Sequence, residues 1–279
     1  MGYIAVCTDP EEIKRIGRRD IMIVWRGTQT GLEWAANFHD ILVPGMMMHQ
    51  GAKHVPLTNV KVESGFHNLY TSADQDSMFN KISAQDQMQM EIRELVEKYK
   101  DYPEELSITV TGHSLGSALA TLSAYDLAES GFNKITAGEK KLPVPITVYS
   151  FAGPRVGNSA FQKRIDELGV HVLRMVNVND KVPKTPGLLV NENVPFLAKL
   201  LDPLPWTYSH VGVELELNDR DSMHLNQEKS GIWTCHNLEV YLHLVDGLGR
   251  YDDDWGRNSS QLGQTPHLCI IKSAAYIHY

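Results

Sequence analysis

The stretch Thr109-Val110-Thr111-Gly112-His113-Ser114-Leu115-Gly116 constrains this chain more than any other. A β-rich run from Leu106 to Val110 leads into it, and the small-residue segment Leu115 to Glu129 leaves it without a proline or any breaker beyond Gly116. That order predicts strand, sharp turn and helix. Glycines two residues to either side of Ser114 clear side chains from the turn, so the serine can hold strained backbone geometry and expose its oxygen. The Leu115 N–H opens the helix beside it, where the helix dipole also favours negative charge. A Gly-x-Ser-x-Gly pentapeptide alone arises by chance in many proteins; the strand before it and the helix after it carry the reading of Ser114 as a nucleophile.

The rest of the chain repeats this alternation. Gly2 to Val6 and Asp20 to Trp25 read as strands, and so abrupt a start in sheet suggests missing sequence upstream. Asp86 to Tyr99 places Met88, Ile92, Leu95, Val96 and Tyr99 at helical spacing. Pro145 to Phe151 reads as a strand, Ser159 to Leu168 as a helix stopped by Gly169, and Val170 to Val178 as a strand. Asn133 to Leu142 is hydrophilic and reads as a surface loop, and Pro183 to Pro205 holds five prolines. Strands alternating with helices predict an α/β fold with a mostly parallel central sheet covered by helices on both faces. Residues 1–248 form the expected domain, and 249–279 a divergent polar tail outside the chemistry.

With 279 residues, 42% of them hydrophobic and 22% charged, the chain can bury a substantial core. A net charge of -8 argues against non-specific nucleic-acid binding and gives no general pull toward anionic lipid. Membrane contact would be led by apolar surface. Cys7, Cys235 and Cys269 are too few and too scattered for a disulfide framework or a zinc ribbon, so a reducing compartment is the simpler reading. No apolar run approaches the roughly 20 residues that cross a bilayer. Met1 to Val6 lacks the regions of a signal peptide, and Val6 stands where myristoylation needs Ser or Thr.

A serine nucleophile needs a base, a carboxylate to orient that base, and donors for the oxyanion. In a strand-turn-helix hydrolase the acid and base follow later in the chain, in loops after strands. Asp180 fits the acid, in Asn177-Val178-Asn179-Asp180-Lys181-Val182-Pro183 just past a predicted strand. His210, His236 and His243 all lie downstream, and spacing alone does not choose among them. His210 sits in the β-branched run Tyr208 to Val213 and reads as structural, while His243 lies well inside a helical run. His236, in the loop before that helix, has the position a general base needs. Trp25-Arg26-Gly27-Thr28 supplies a strand-to-loop junction at which Thr28 can donate to the oxyanion together with Leu115. Leu32, Trp34 and Phe38 mark an amphipathic stretch that reads as a lid or as acyl contacts, or else as a buried structural helix.

Several of these stretches together resemble the class 3 lipases, and within them the plant phospholipase A1 branch. The resemblance runs in order through Trp25-Arg26-Gly27-Thr28, Val62-Glu63-Ser64-Gly65-Phe66, Gly112-His113-Ser114-Leu115-Gly116 and Phe151-Ala152-Gly153-Pro154-Arg155-Val156-Gly157-Asn158. It continues through Asp180-Lys181-Val182-Pro183, Tyr208-Ser209-His210-Val211-Gly212 and Cys235-His236-Asn237-Leu238. It implies an α/β-hydrolase fold, Ser114, Asp180 and His236 as the triad, Thr28 and Leu115 as oxyanion donors, and His210 as a structural residue. It further implies hydrolysis of glycerolipid acyl esters, chiefly at sn-1, without metal or cofactor, on substrate at a membrane or lipid-droplet surface. Relatives of this branch carry a longer N-terminal region, in many cases a plastid transit peptide, so a chloroplast or cytoplasmic location is expected. Two other readings stand beside it: a non-catalytic lipase-like signalling or binding protein, and a soluble carboxylesterase using the same triad.

Overall fold

The computed structural model describes residues 1–27, 42–45, 59–137, 140–186, 207–222, 225, 234–253 and 271–277. Their strands are β1 (Gly2–Cys7), β2 (Arg19–Trp25), β3 (Leu42–Pro44), β4 (Lys61–Glu63), β5 (Leu106–His113), β6 (Lys134–Ala137), β7 (Lys140–Pro143), β8 (Ile146–Phe151), β9 (His171–Asn177), β10 (Val213–Leu217) and β11 (Ile271–Ile277). The α-helices are α1 (Pro10–Ile16), α2 (Ser64–Thr71), α3 (Ala84–Tyr99), α4 (Leu115–Ser130), α5 (Ser159–Glu167) and α6 (Leu238–Asp253). The main sheet runs β10-β9-β8-β5-β2-β1-β11. From β2 to β10 all pairings are parallel, and β1 is antiparallel to both β2 and β11. This is the mostly parallel α/β sheet expected from the alternation of strands and helices, and the α/β-hydrolase architecture that the family resemblance implies.

Burial explains the order of the layers. In β2 the pattern places Ile21, Ile23 and Trp25 inward with Met22 outward, and in β5 Ile108 and Val110 are fully buried beneath α4. A helix covered by sheet on one side and by helices on the other must be apolar all round, and α4 buries every residue from Leu115 to Ala128. Ser123 accepts the indole N–H of Trp25 at 2.9 Å. Asp126 is the costly exception, a carboxylate at 0% exposure. Its charge is offset by Tyr70 O–H at 2.7 Å, Gln89 Nε2–H at 2.5 Å and Ser130 O–H at 3.1 Å, and burial still raises its pKa. That network ties α2 and α3 to α4. On the other face α6 packs Val240, Tyr241 and Leu244 against Ala152, Met175 and Leu217.

Three local outcomes differ from what periodicity predicts. The hydrophilic segment read as a loop forms the hairpin β6–β7, in which Ile135 faces Leu142 across the pair; a local hairpin needs only one such apolar pair, which a composition count dilutes. The run around His210 is not a strand. Ser209 makes an isolated bridge to Gly157, and regular pairing starts at Val213, because the chain turns at Gly212, whose φ of 68° and close approach to Val172 exclude a side chain. Beyond residue 248, α6 continues to Asp253 and Ile271–Ile277 lies antiparallel on β1 as an edge strand. Among the described residues no helix is long and apolar enough to cross a membrane.

Candidate active site

Strands β2, β5, β8 and β9 end nearly level: Trp25 pairs with Gly112, His113 with Phe151, and Phe151 with Met175. Loops leaving that carboxyl edge converge on one place. Ser114 stands there between β5 and α4 with φ 60° and ψ −124°, a conformation that costs a non-glycine residue about 1–3 kcal/mol. The surroundings enforce it. Ser114 N–H donates to Phe151 O at 2.9 Å, and its carbonyl accepts Ser117 N–H at 3.0 Å. The flanking glycines serve close approach: a Cβ on Gly112 would lie 2.3 Å from the Gly116 carbonyl, and one on Gly116 would lie 2.3 Å from Trp25 O. Helix and two strands therefore touch backbone to backbone, and the serine is pushed out of the turn.

The structure brings Ser114, His236 and Asp180 into hydrogen-bond contact across 122 and 56 residues of sequence. His236 Nδ1 lies 2.6 Å from Asp180 Oδ2, and His236 Nε2 lies 2.8 Å from Ser114 Oγ. A neutral imidazole that donates from Nδ1 to a carboxylate has its lone pair on Nε2, so the serine hydroxyl donates to it. Asp180 is 1% exposed. Its Oδ1 accepts Val182 N–H at 2.9 Å, and its position follows from β9 ending at Asn177, whose carbonyl accepts Asp180 N–H at 2.9 Å. Leu115 is the first residue of α4, so its N–H has no partner four residues back within the helix. Thr28, Leu32, Trp34 and Phe38 lie outside the described residues; Gly27, beside Thr28, packs so near the His113 carbonyl that a Cβ would approach it to 2.6 Å. A cavity of about 580 Å³ begins beside Gly27 and His113 and is walled by Tyr3, Val24, Phe151, Leu238 and Leu242 among others.

Three residues around this centre are given no role by the sequence. His113 Nε2–H donates to the His236 backbone carbonyl at 2.8 Å, and the two rings lie 4.8 Å apart. Tyr241 O–H donates to Asp180 Oδ2 at 2.8 Å. Asn177 Nδ2–H donates to Cys235 O at 3.2 Å, which holds the loop that carries His236. Tyr241 reads in sequence as one more apolar position of a helix, and nothing local distinguishes it. Among the described residues no group of three or more His, Cys, Asp or Glu could hold a metal ion.

The family described as "Lipase (class 3)" matches residues 22–190, more than half of the chain. The chain belongs to the class 3 lipase family. Phospholipase A1-Igamma1, chloroplastic, from Arabidopsis thaliana is 51% identical over 250 residues, covering 88% of this chain and 47% of the relative. Galactolipase DONGLE, chloroplastic, from the same plant is 49% identical over 249 residues, covering 88% of this chain and 49% of that one. This class 3 lipase thus spans about half the length of the curated relatives it matches. Among solved structures, Rhizomucor miehei triacylglyceride lipase superposes with a TM-score of 0.51 at 23% identity, over 79% of this chain and 63% of that one. At that identity the likeness shows the fold.

Among the described residues, His243 and His210 lie apart from the site, and His113 adjoins it. His243 Nε2 pairs with Ser222 Oγ at 2.8 Å. Burial, then the Arg174 and Arg155 guanidinium groups, push His210 down to about 2. Burial and the neighbouring His236 push His113 down to about 4. Both are lowered, so below about pH 6.5 the unfolded chain takes up protons that the native chain does not. The contribution of these two histidines to stability is therefore complete above about pH 6.5 and falls as the pH drops toward about 4. Urea midpoints measured from about pH 7.5 to about pH 5 should decline, and His210→Gln should flatten the decline.

Proposed function

We propose that this chain is a serine hydrolase that cleaves acyl esters of glycerolipids, of the phospholipase A1 and galactolipase type with sn-1 preference. The observation that carries the reading is the continuous Ser114–His236–Asp180 relay at the head of α4; its relatives' names direct it to lipid esters. Ser114 Oγ attacks the acyl carbonyl as its proton passes to His236 Nε2. Asp180 holds the imidazole and stabilises the imidazolium. The oxyanion is bound by Leu115 N–H and by Thr28. His236 then protonates the leaving alcohol, and water, activated by the same imidazole, releases the fatty acid from the acyl-enzyme. Leu32, Trp34 and Phe38 form the lid or acyl contacts, and residues 1–248 form the hydrolase unit. The substrate lies in a membrane or lipid-droplet surface, and the chloroplast is the compartment, in keeping with the relatives named chloroplastic.

The test is mass spectrometry of products from mixed vesicles of phosphatidylcholine, monogalactosyl lipid and triacylglycerol, with Ser114→Ala as control. Free fatty acid together with a lysolipid that keeps its sn-2 chain is the expected result. Hydrolysis of a soluble short ester with none of the three lipids attacked would remove lipid from the reading.

A further inference from the structure

Tyr241 stands five residues after His236, on the first turns of α6, and its ring is fully buried among Ala152, Met175 and Leu217. Its hydroxyl accepts Asn177 N–H at 3.1 Å and lies 2.8 Å from Asp180 Oδ2. The first contact occupies a lone pair and the carboxylate can only accept, so the hydroxyl proton points at Asp180. The same Oδ2 accepts His236 Nδ1–H at 2.6 Å. One carboxylate oxygen thus divides its charge between the base and a phenol carried on the helix that follows the base.

We propose that Tyr241 is a positioning residue of the reaction centre, which by donating to Asp180 Oδ2 both fixes the carboxylate and weakens its hold on protonated His236. This inference rests on the reading of Ser114 as nucleophile. A hydrogen bond to a carboxylate lowers its basicity, so Asp180 favours the imidazolium form of its partner less with Tyr241 present than without it. The other groups around the imidazole are Ser114 from α4, His113 from β5, and Asp180 with the 3-10 turn after it. Lys181, Cys235 and Asp219 lie further out, where Asp180 and Asp219 raise the Cys235 thiol after burial does and Lys181 opposes them. His113 donates to a carbonyl and is neutral above about pH 4, so the phenol is the group that competes with the imidazole for Oδ2.

The experiment measures the rate of Ser114 labelling by a fluorophosphonate, and kcat/KM on a short-chain ester, from about pH 4.5 to about pH 9. Tyr241→Phe keeps the ring and removes the donor. The acid limb of both profiles is expected to move up by about 0.5–1 unit. Replacing Tyr241 by 3,5-difluorotyrosine, a stronger donor of nearly the same shape, is expected to move it down. Rates are normalised to the labelled fraction, so a variant that folds less well reports through its folded molecules. Acid limbs that coincide with wild type in both variants would overturn the inference while leaving Ser114 labelled. Absence of labelling in the wild-type chain would overturn the nucleophile reading and this inference with it.

Discussion

Ser114→Ala is expected to lower kcat on an acyl ester by about 10⁵–10⁶-fold while leaving the fold intact. The side chain removed is the atom that forms the acyl-enzyme, and neither His236 nor Asp180 can replace it, because each holds its place only as a link to the next. A loss nearly as large as that of the whole triad follows, since the three groups act as a unit. The structural cost is small. Ser114 is held through its backbone, by Phe151 O and Ser117 N–H, and alanine can occupy the same turn with the strain that serine already bears. Steady-state rates on a soluble ester, with thermal unfolding as the check on folding, decide the matter; an alanine variant within tenfold of wild type would disprove the assignment.

Asp180→Asn is expected to lower kcat by about 10⁴-fold, for a different reason. The carboxylate accepts on both oxygens, from Val182 N–H on Oδ1 and from His236 and Tyr241 on Oδ2. An asparagine has one acceptor. If its oxygen faces His236 and Tyr241, its NH₂ meets Val182 N–H donor to donor in a dry site. Turned the other way, the NH₂ faces His236 Nδ1, which must then accept. The imidazole changes tautomer, Nε2 carries the proton, and Ser114 has no base. The second arrangement keeps the Val182 N–H bond and lets the imidazole accept from the amide; only the Tyr241 hydroxyl, which is free to rotate, must turn its proton away from the NH₂, so this arrangement wins. Rate profiles should show a loss that persists at all pH values below that at which hydroxide replaces the base, with labelling of Ser114 slowed in parallel. Retention of more than a tenth of wild-type kcat would rule out the orienting role.

Asparagine at 180 and alanine at 114 test positions legible before any coordinates, and the site as a whole divides along a clear line. Ser114 was legible because the elbow is local: Gly112 and Gly116 are demanded by contacts within the turn and with the adjacent strand. Asp180 was legible from its place just after a predicted strand. Spacing alone leaves His210, His236 and His243 open as the base, and the loop position before a helix favours His236; which imidazole meets a serine more than a hundred residues away depends on how loops from different strands converge. Tyr241 and Asn177 were not legible at all. A buried tyrosine on an apolar helix stripe looks the same in sequence whether its hydroxyl ends against a catalytic carboxylate or a structural carbonyl.

For the fold, alternation and breakers determined the parallel strands β2, β5, β8 and β9 and the helices α3 and α5, each of which is written into ten or so neighbouring residues, while α4 was marked by an unbroken run of small residues. The hairpin β6–β7 and the edge strand β11 were decided by pairing partners, which are properties of two segments at once. Sequence by itself thus determined the chain's architecture, the proposed nucleophile and the order of its chemical groups. Only tertiary structure decided that His236 stands within hydrogen-bond reach of Ser114 and that the Tyr241 phenol shares Asp180, because hydrogen bonds of under 3 Å across the carboxyl edge are set by packing of the whole sheet.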